Sequence, residues 1–207
     1  MTALLKLSAL VDGFNGLVGK FIRWLVLAAV LISAGNAIIR KAFNISSNAW
    51  LEIQWYLFAG VFLLGAGYAF LRNVHVRIDF ISSKLSKRTN AIIDALGIVV
   101  FLIPLCVIMV WLSWPLFYGA WVSGEMSQNA GGLIRWPAYL LMPLGFGILL
   151  LQALSELVKR IAFLRGLIPE PISVEPGKSD EELLAEELAA EAERHERELA
   201  ARTPGVK

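Results

Sequence analysis

EIQWYLFAGVFLLGAGYAFLRNVHVRID, residues 52–79, decides how the rest of the chain is read. It opens on Glu52 and Gln54 beside the aromatic pair Trp55 and Tyr56, then runs without charge to Arg72. As a helix, Glu52 and Arg72 lie about 30 Å apart along the axis. That is roughly the thickness of a bilayer's hydrocarbon core. The stretch therefore reads as a transmembrane helix with a charged group at each end. The loop behind it, Arg72 to Asn90, is basic: Arg72, Arg77, Lys84, Lys87 and Arg88, with His75 and Asp79 among them.

Composition agrees. Hydrophobic residues make up 57% of the chain, charged ones 17%, and the mean hydropathy is +0.64. Soluble domains hold roughly 45–50% apolar and about 25% charged residues. The expected class is an all-α integral membrane protein, and 207 residues leave room for four spans and no sizeable soluble domain. Charge divides along the chain. Residues 1–169 are basic and residues 170–207 are acidic, so the net +2 conceals a basic membrane part and an acidic tail. Cys106, the single cysteine, lies in an apolar run and has no intramolecular disulfide partner.

Four spans are expected at about 21–39, 49–71, 91–117 and 136–158, together a transmembrane domain over 21–168. Residues 1–20 do not read as a secretory signal peptide. Leu7, Leu10, Val11, Phe14, Leu17, Val18 and Phe21 share one helical face, with Lys6, Asp12, Asn15 and Lys20 off it. That pattern predicts an amphipathic helix in the membrane interface, weakened by Gly13, Gly16 and Gly19. In span two, Gly60, Gly65 and Gly67 permit close helix approach. Ser86 is placed to cap span three, Pro104 to kink it, and Pro115 to mark its outer end. Pro137 suits the first turn of span four, and Pro143 is a second expected kink. Residues 169–207 are expected to form a flexible acidic C-terminal tail. In it a Pro-rich linker leads to a helix over Ser179–Arg202, either solvated or docked on a partner.

Basic residues near span ends set topology. Lys6, Lys20, Arg23, Arg72, Arg77, Lys84, Lys87, Arg88, Lys159, Arg160 and Arg165 fall on the side of the N-terminus; Arg40, Lys41 and Arg135 fall opposite. Both termini are expected in the cytoplasm. In a membrane part this basic excess reports orientation, not nucleic-acid binding. Trp50, Trp55, Trp111, Trp114, Trp121 and Trp136 gather at the outer side, where aromatic belts form.

The span interiors hold no Asp, Glu, Lys, Arg or His. An ionisable group at mid-membrane usually marks an ion or substrate path, so none is drawn here. The histidines, His75 in a loop and His195 in the tail, leave no intramembrane haem ligand. The sequence shows no metal cluster, nucleophile–base pair or phosphate loop, so no cofactor and no enzymatic activity are expected. Two classes remain: an accessory subunit of a transporter, or a membrane anchor or assembly subunit of another membrane enzyme complex. A redox-carrying anchor needs intramembrane ligands, and their absence favours the transporter subunit.

Several stretches in order carry a resemblance: EIQWY at 52–56, LGAGY at 64–68, NVHVRID at 73–79, Asp94 with Gly97, Ser113-Trp114-Pro115, Gly124-Glu125, and GGLIRWP at 131–137. Over about residues 20–168 the chain resembles the small membrane (Q) subunit of tripartite ATP-independent periplasmic, or TRAP, transporters. Its wording is most similar to the subgroup labelled for mannitol, chloroaromatic or keto-acid substrates. The acidic tail is no part of the pattern. The resemblance implies a bacterial inner-membrane protein with two partners. One is a periplasmic solute-binding protein that captures an organic acid; the other is a large membrane subunit that carries it inward, coupled to sodium. The small subunit would join the scaffold of the large one. The resemblance makes Glu52, Gln54, His75, Arg77, Asp79 and Asp94 candidates for contact with the large subunit or for ordering loops. Asp94 is left to pair with Arg77, with Arg88 or with a basic group of the partner. Glu125, Arg135 and Trp136 are the candidates for docking the periplasmic protein.

Overall fold

The computed structural model describes residues 2–44, 47–73 and 85–168. These residues form four helices long and apolar enough to cross a membrane: α1, Thr2–Phe43; α2, Asn48–Arg72; α3, Lys87–Ser123; and α4, Trp136–Leu164. The β-structure among them is one isolated antiparallel bridge, Met126 to Ile134. The all-helical, four-span expectation therefore holds. His75, Arg77 and Asp79 lie outside the described residues, as does the acidic tail.

Helix α4 is the centre. It packs against α1, α2 and α3, while α1 and α2 also pack on each other. The contacts are made by small side chains: Ala29, Ala91, Cys106, Ala120, Ala153 and Ala162 are buried, whereas Phe101 and Trp111 are each 74% exposed. In lipid, apolar bulk gains nothing by turning inward. Helices associate through close packing of small residues and through polar contacts. Glycines on α2 and α4 are needed for this. A Cβ on Gly67 would lie 2.5 Å from Asn15 Oδ1 and 2.9 Å from Ile148, and one on Gly145 would lie 2.7 Å from the Leu63 carbonyl oxygen. At Gly60 and Gly65, by contrast, a Cβ would meet neighbours at ordinary contact distance.

Helix α1 is a single run of 42 residues with no break near Lys20. At about 63 Å it is twice as long as the hydrocarbon core is thick. Its register on α2 is visible in the close contacts: Asn15 beside Gly67, Gly19 beside Tyr68, Ile22 beside Gly65, Leu25 beside Gly60, and Ser33 Oγ donating to Gln54 Oε1 at 3.4 Å. The part of α1 alongside span two thus begins near Asn15, earlier than the expected start at residue 21. The glycines read as weakening the segment have a different effect at Gly19, where the Tyr68 ring would lie 2.5 Å from an added Cβ. The apolar face of the amphipathic pattern, Leu7, Leu10, Phe14, Leu17 and Phe21, is exposed; Ser8 and Asn15 on the other side are buried.

Ser86 caps α3 as expected, its Oγ accepting from the Thr89 N–H at 3.1 Å. Ahead of Pro104 the helix widens into a π-helical turn over Ile98–Leu102, and the Ile103 N–H donates to the Ile98 carbonyl. Proline lacks an N–H and crowds the carbonyl four residues back, and a wider turn relieves both. Pro115 does not end the helix, which continues to Ser123 and stops at Gly124 in the left-handed conformation. Pro137 occupies the first turn of α4.

Candidate functional site

Among the described residues, all the buried polar groups but Asn36 and Ser113 fall into two clusters at opposite ends of the helices. The first forms where α2 begins. Glu52 is 4% exposed, although it stands at a helix end where water is near. The connection between α3 and α4 folds over it. Its Oε1 accepts from Ser127 Oγ and from Asn129 Nδ2 (2.8 Å), and its Oε2 accepts from the Leu133 backbone N–H at 2.7 Å. One carboxylate thus gathers three donors from a seven-residue stretch. Gly132 leaves the necessary room, since a Cβ there would meet Glu52 Oε1 at 2.9 Å and the Ser127 Cβ at 2.5 Å. Asn48 Nδ2 donates to the Ala130 carbonyl and Tyr56 OH to the Ile134 carbonyl, each at 3.0 Å. The face of α2 formed by Asn48, Glu52 and Tyr56 holds the whole connection.

The base of that connection is closed by its own pairings. The Arg135 N–H donates to the Glu125 carbonyl, and Arg135 Nη1 meets Glu125 Oε1, both at 2.9 Å. The Glu125 hydrogen bond holds the Arg135 guanidinium above its ordinary pKa. Both side chains are partly in solvent, where water screens such a pair and it contributes little. The Trp136 ring stands edge-on to Trp121, centroids 4.5 Å apart. Gln54 faces α1 through Ser33 and takes no part in holding the loop.

The second cluster lies at the other end and joins three helices. Asp12 of α1, Lys159, Glu156 and Arg160 of α4, and Asp94 of α3 form a chain of alternating charge. Lys159 Nζ lies 2.9 Å from Asp12 Oδ2 and 2.5 Å from Glu156 Oε1; Arg160 Nη1 lies 2.5 Å from Glu156 Oε2, and Arg160 Nη2 3.1 Å from Asp94 Oδ2. Glu156, Lys159 and Arg160 are all buried. Spacings of three and four residues put both cations on the face of α4 that Glu156 occupies. Neutral groups extend the chain: Gln152 Nε2 and Ser155 Oγ donate to Asp12 Oδ1, both at 2.9 Å, Asn15 Nδ2 donates to Gln152 Oε1 at 2.9 Å, and Ser8 and Ser155 share a hydrogen bond of 2.6 Å.

Of the sequence candidates, the structure places Glu52 in the first cluster and Asp94 in the second, and it keeps Gln54 apart from both. Asp94 meets Arg160, which was not among the partners weighed for it. Sequence reading missed Asp12, Gln152 and the pairing of Glu156 with Lys159 and Arg160. The Glu156-x-x-Lys159-Arg160 spacing carries part of that signal, because it sets a carboxylate and two cations on one helical face.

Residues 29–163 match the family model of the DctQ component of tripartite ATP-independent periplasmic transporters. No curated protein matches the chain. The matched segment contains Glu52, the connection it holds, Asp94 and the charged face of α4. It leaves out Asp12, Asn15, Lys20 and Arg23.

Proposed function

This chain belongs to the DctQ family, the small membrane component of TRAP transporters, and on that premise we propose that it is scaffold and not carrier. It braces the large membrane subunit and itself moves neither solute nor ion. The solute, in this reading, is an organic acid or related compound delivered by a periplasmic binding protein, and uptake is coupled to an ion, sodium by preference. The observation that carries the proposal is how the buried charges are used. Glu52, Glu156, Lys159 and Arg160 are buried, and each is engaged by other groups of this chain. All stand near helix ends, which leaves the apolar middle without a charged site for a passing ion. The apolar flank of α3, including Phe101, Ile108 and Trp111, is left uncovered by the other helices and is available to the large subunit.

Reconstitution tests this. The chain alone in liposomes, with a sodium gradient and candidate acids, should take up no more than empty vesicles. Adding the large subunit and the binding protein should restore uptake. Uptake by the chain alone would place a transport site within it and overturn the scaffold reading.

Orientation follows from the excess of basic residues on the N-terminal side. Both termini face the cytoplasm of a bacterial inner membrane, and the connection held by Glu52 faces the periplasm. There the exposed Glu125–Arg135 pair and Trp136 are placed to meet the binding protein. Alkaline phosphatase fused at Asn48 or Gln128 should be active, and at Leu85 or Lys207 inactive. Activity at either of the last two positions would reverse the topology.

The tail is dispensable for assembly in this reading, because its apolar positions, Leu184, Leu188, Ala192 and Leu199, form only a thin stripe. Truncation after Pro169 should leave co-purification with the large subunit unchanged. Loss of the complex would make Ser179–Arg202 a docking helix.

A further inference from the structure

Beside the second cluster, α1 and α2 enclose an open groove of about 440 Å³ whose lining includes Asp12, Gly19, Lys20, Arg23, Tyr68 and Arg72. Three of those side chains are cations. Arg72 is fixed: its Nε donates to Tyr68 OH at 3.1 Å and its guanidinium lies 5.7 Å from the centre of the Tyr68 ring. Tyr68 is in turn seated against Gly19. Lys20 and Arg23 are exposed and have no carboxylate partner among the described residues. The one carboxylate in the lining, Asp12, is already engaged by Lys159 at 2.9 Å and by Ser155 and Gln152. Among the described residues, the groove therefore keeps an uncompensated positive charge.

We propose that this groove binds the phosphate of an anionic phospholipid. Its volume is enough for a headgroup. Helical side chains lean toward the N-terminus of their helix, so Lys20 and Arg23 reach from the buried part of α1 back toward the membrane surface where Arg72 ends α2. Leu17 and Trp24, three residues before and four after Lys20, are exposed on the same side of α1 as that cation, giving the acyl chains an apolar track at the edge of the charged opening. Basic grooves between spanning helices on the cytoplasmic side take such headgroups. A soluble phosphate has no use for the track, and a zwitterionic lipid carries its own cation into an already positive site. The lipid would fasten the N-terminal half of α1 to α2, a segment that lies outside the matched family region.

Native mass spectrometry of the purified chain, alone and with its large subunit, tests this. The chain should retain one phosphatidylglycerol in preference to phosphatidylcholine. Lys20→Gln and Arg23→Gln should each weaken that preference about five-fold, Arg23→Lys should preserve it, and Arg40→Gln with Lys41→Gln at the opposite end should leave it intact. Equal retention of the two lipids, or an equal loss from the Arg40/Lys41 variant, would overturn the proposal. So would competition by millimolar inorganic phosphate, which makes the site one for free anions. Loss of the lipid on binding the large subunit would overturn it too, since a protein carboxylate would then be the occupant. Brominated lipids provide a reading that needs no change in the groove. Brominated phosphatidylglycerol should quench wild-type fluorescence more than brominated phosphatidylcholine does, and Trp24→Phe should remove the difference. Equal quenching by the two would count against the site as heavily as equal retention.

Discussion

Glu156→Gln is expected to lower the stability of the folded chain by about 3–5 kcal/mol, the usual cost of removing one partner from a buried ion pair. The carboxylate lies 2.5 Å from both Lys159 and Arg160, and both cations are buried. Without it, two neighbouring positive charges stay in a site that excludes water, held only from the flanks by Asp12 and Asp94. The repulsion between them is no longer screened by a charge placed against both. The change is nearly isosteric, so packing is untouched, and the loss reports the charge together with one acceptor oxygen replaced by an NH2 that faces donors. Two companion variants separate charge from local damage. Asp94→Asn should cost less, because Arg160 keeps Glu156 and Asp94 is more hydrated than Glu156. Adding Lys159→Gln to Glu156→Gln should recover part of the loss, because one unpaired cation goes with it; additive losses would mean that the residues do not act as a unit. Unfolding in detergent, followed by tryptophan fluorescence, measures all three. A Glu156→Gln midpoint equal to wild type would show that the alternating chain contributes nothing to holding α1, α3 and α4 together.

The helices were legible in the sequence because lipid makes the signal simple. A stretch that must satisfy its backbone internally and present apolar side chains reads as a long uncharged run, and the runs after Glu52 and after Trp136 needed no other information. How the helices meet was less legible. In water, apolar periodicity shows which face turns inward. In this chain the periodic apolar face of α1, from Leu7 to Phe21, points outward, and the polar residues set off it, Ser8, Asp12 and Asn15, make the contacts with α4. The pattern separates an apolar from a polar side, but it does not say that the polar side is the packed one. Asp94 shows the same limit. Its charge and its place at a helix end are visible locally, whereas Arg160 is 66 residues away, and only the antiparallel course of α3 and α4 brings the two together. Glu52 was singled out as a possible loop-ordering residue. What the sequence did not show is that the loop it orders begins more than seventy residues later, with Ser127, Asn129 and Leu133.

Glu52→Ala should leave the spans intact and free the connection between α3 and α4. Three donors converge on this carboxylate: Ser127 Oγ, Asn129 Nδ2 and the Leu133 N–H. No nearby group replaces it, because Asn48 and Tyr56 reach only the carbonyls of Ala130 and Ile134, and Glu125 is turned to Arg135 at the base. Glu52→Gln is as informative as the alanine. An amide keeps the shape but offers one acceptor oxygen, and its NH2 turns a donor toward donors. Glu52→Asp keeps the charge on a stem one methylene shorter, too short to reach all three. Hydrogen exchange at the Leu133 amide should accelerate about ten-fold or more in each variant, since a hydrogen bond to a charged acceptor is among the strong ones. Exchange in the middle of α2 should not change. If the ordered connection is the surface that meets the periplasmic binding protein, whole-cell uptake should fall by about the same factor while the large subunit still co-purifies. Gln54→Ala, one turn-face away and bonded to Ser33 instead, is the control and should leave both readings at wild type. Faster exchange with full uptake would keep Glu52 as the clamp of this loop and remove the loop from docking. Unchanged exchange at Leu133 would remove the clamp itself.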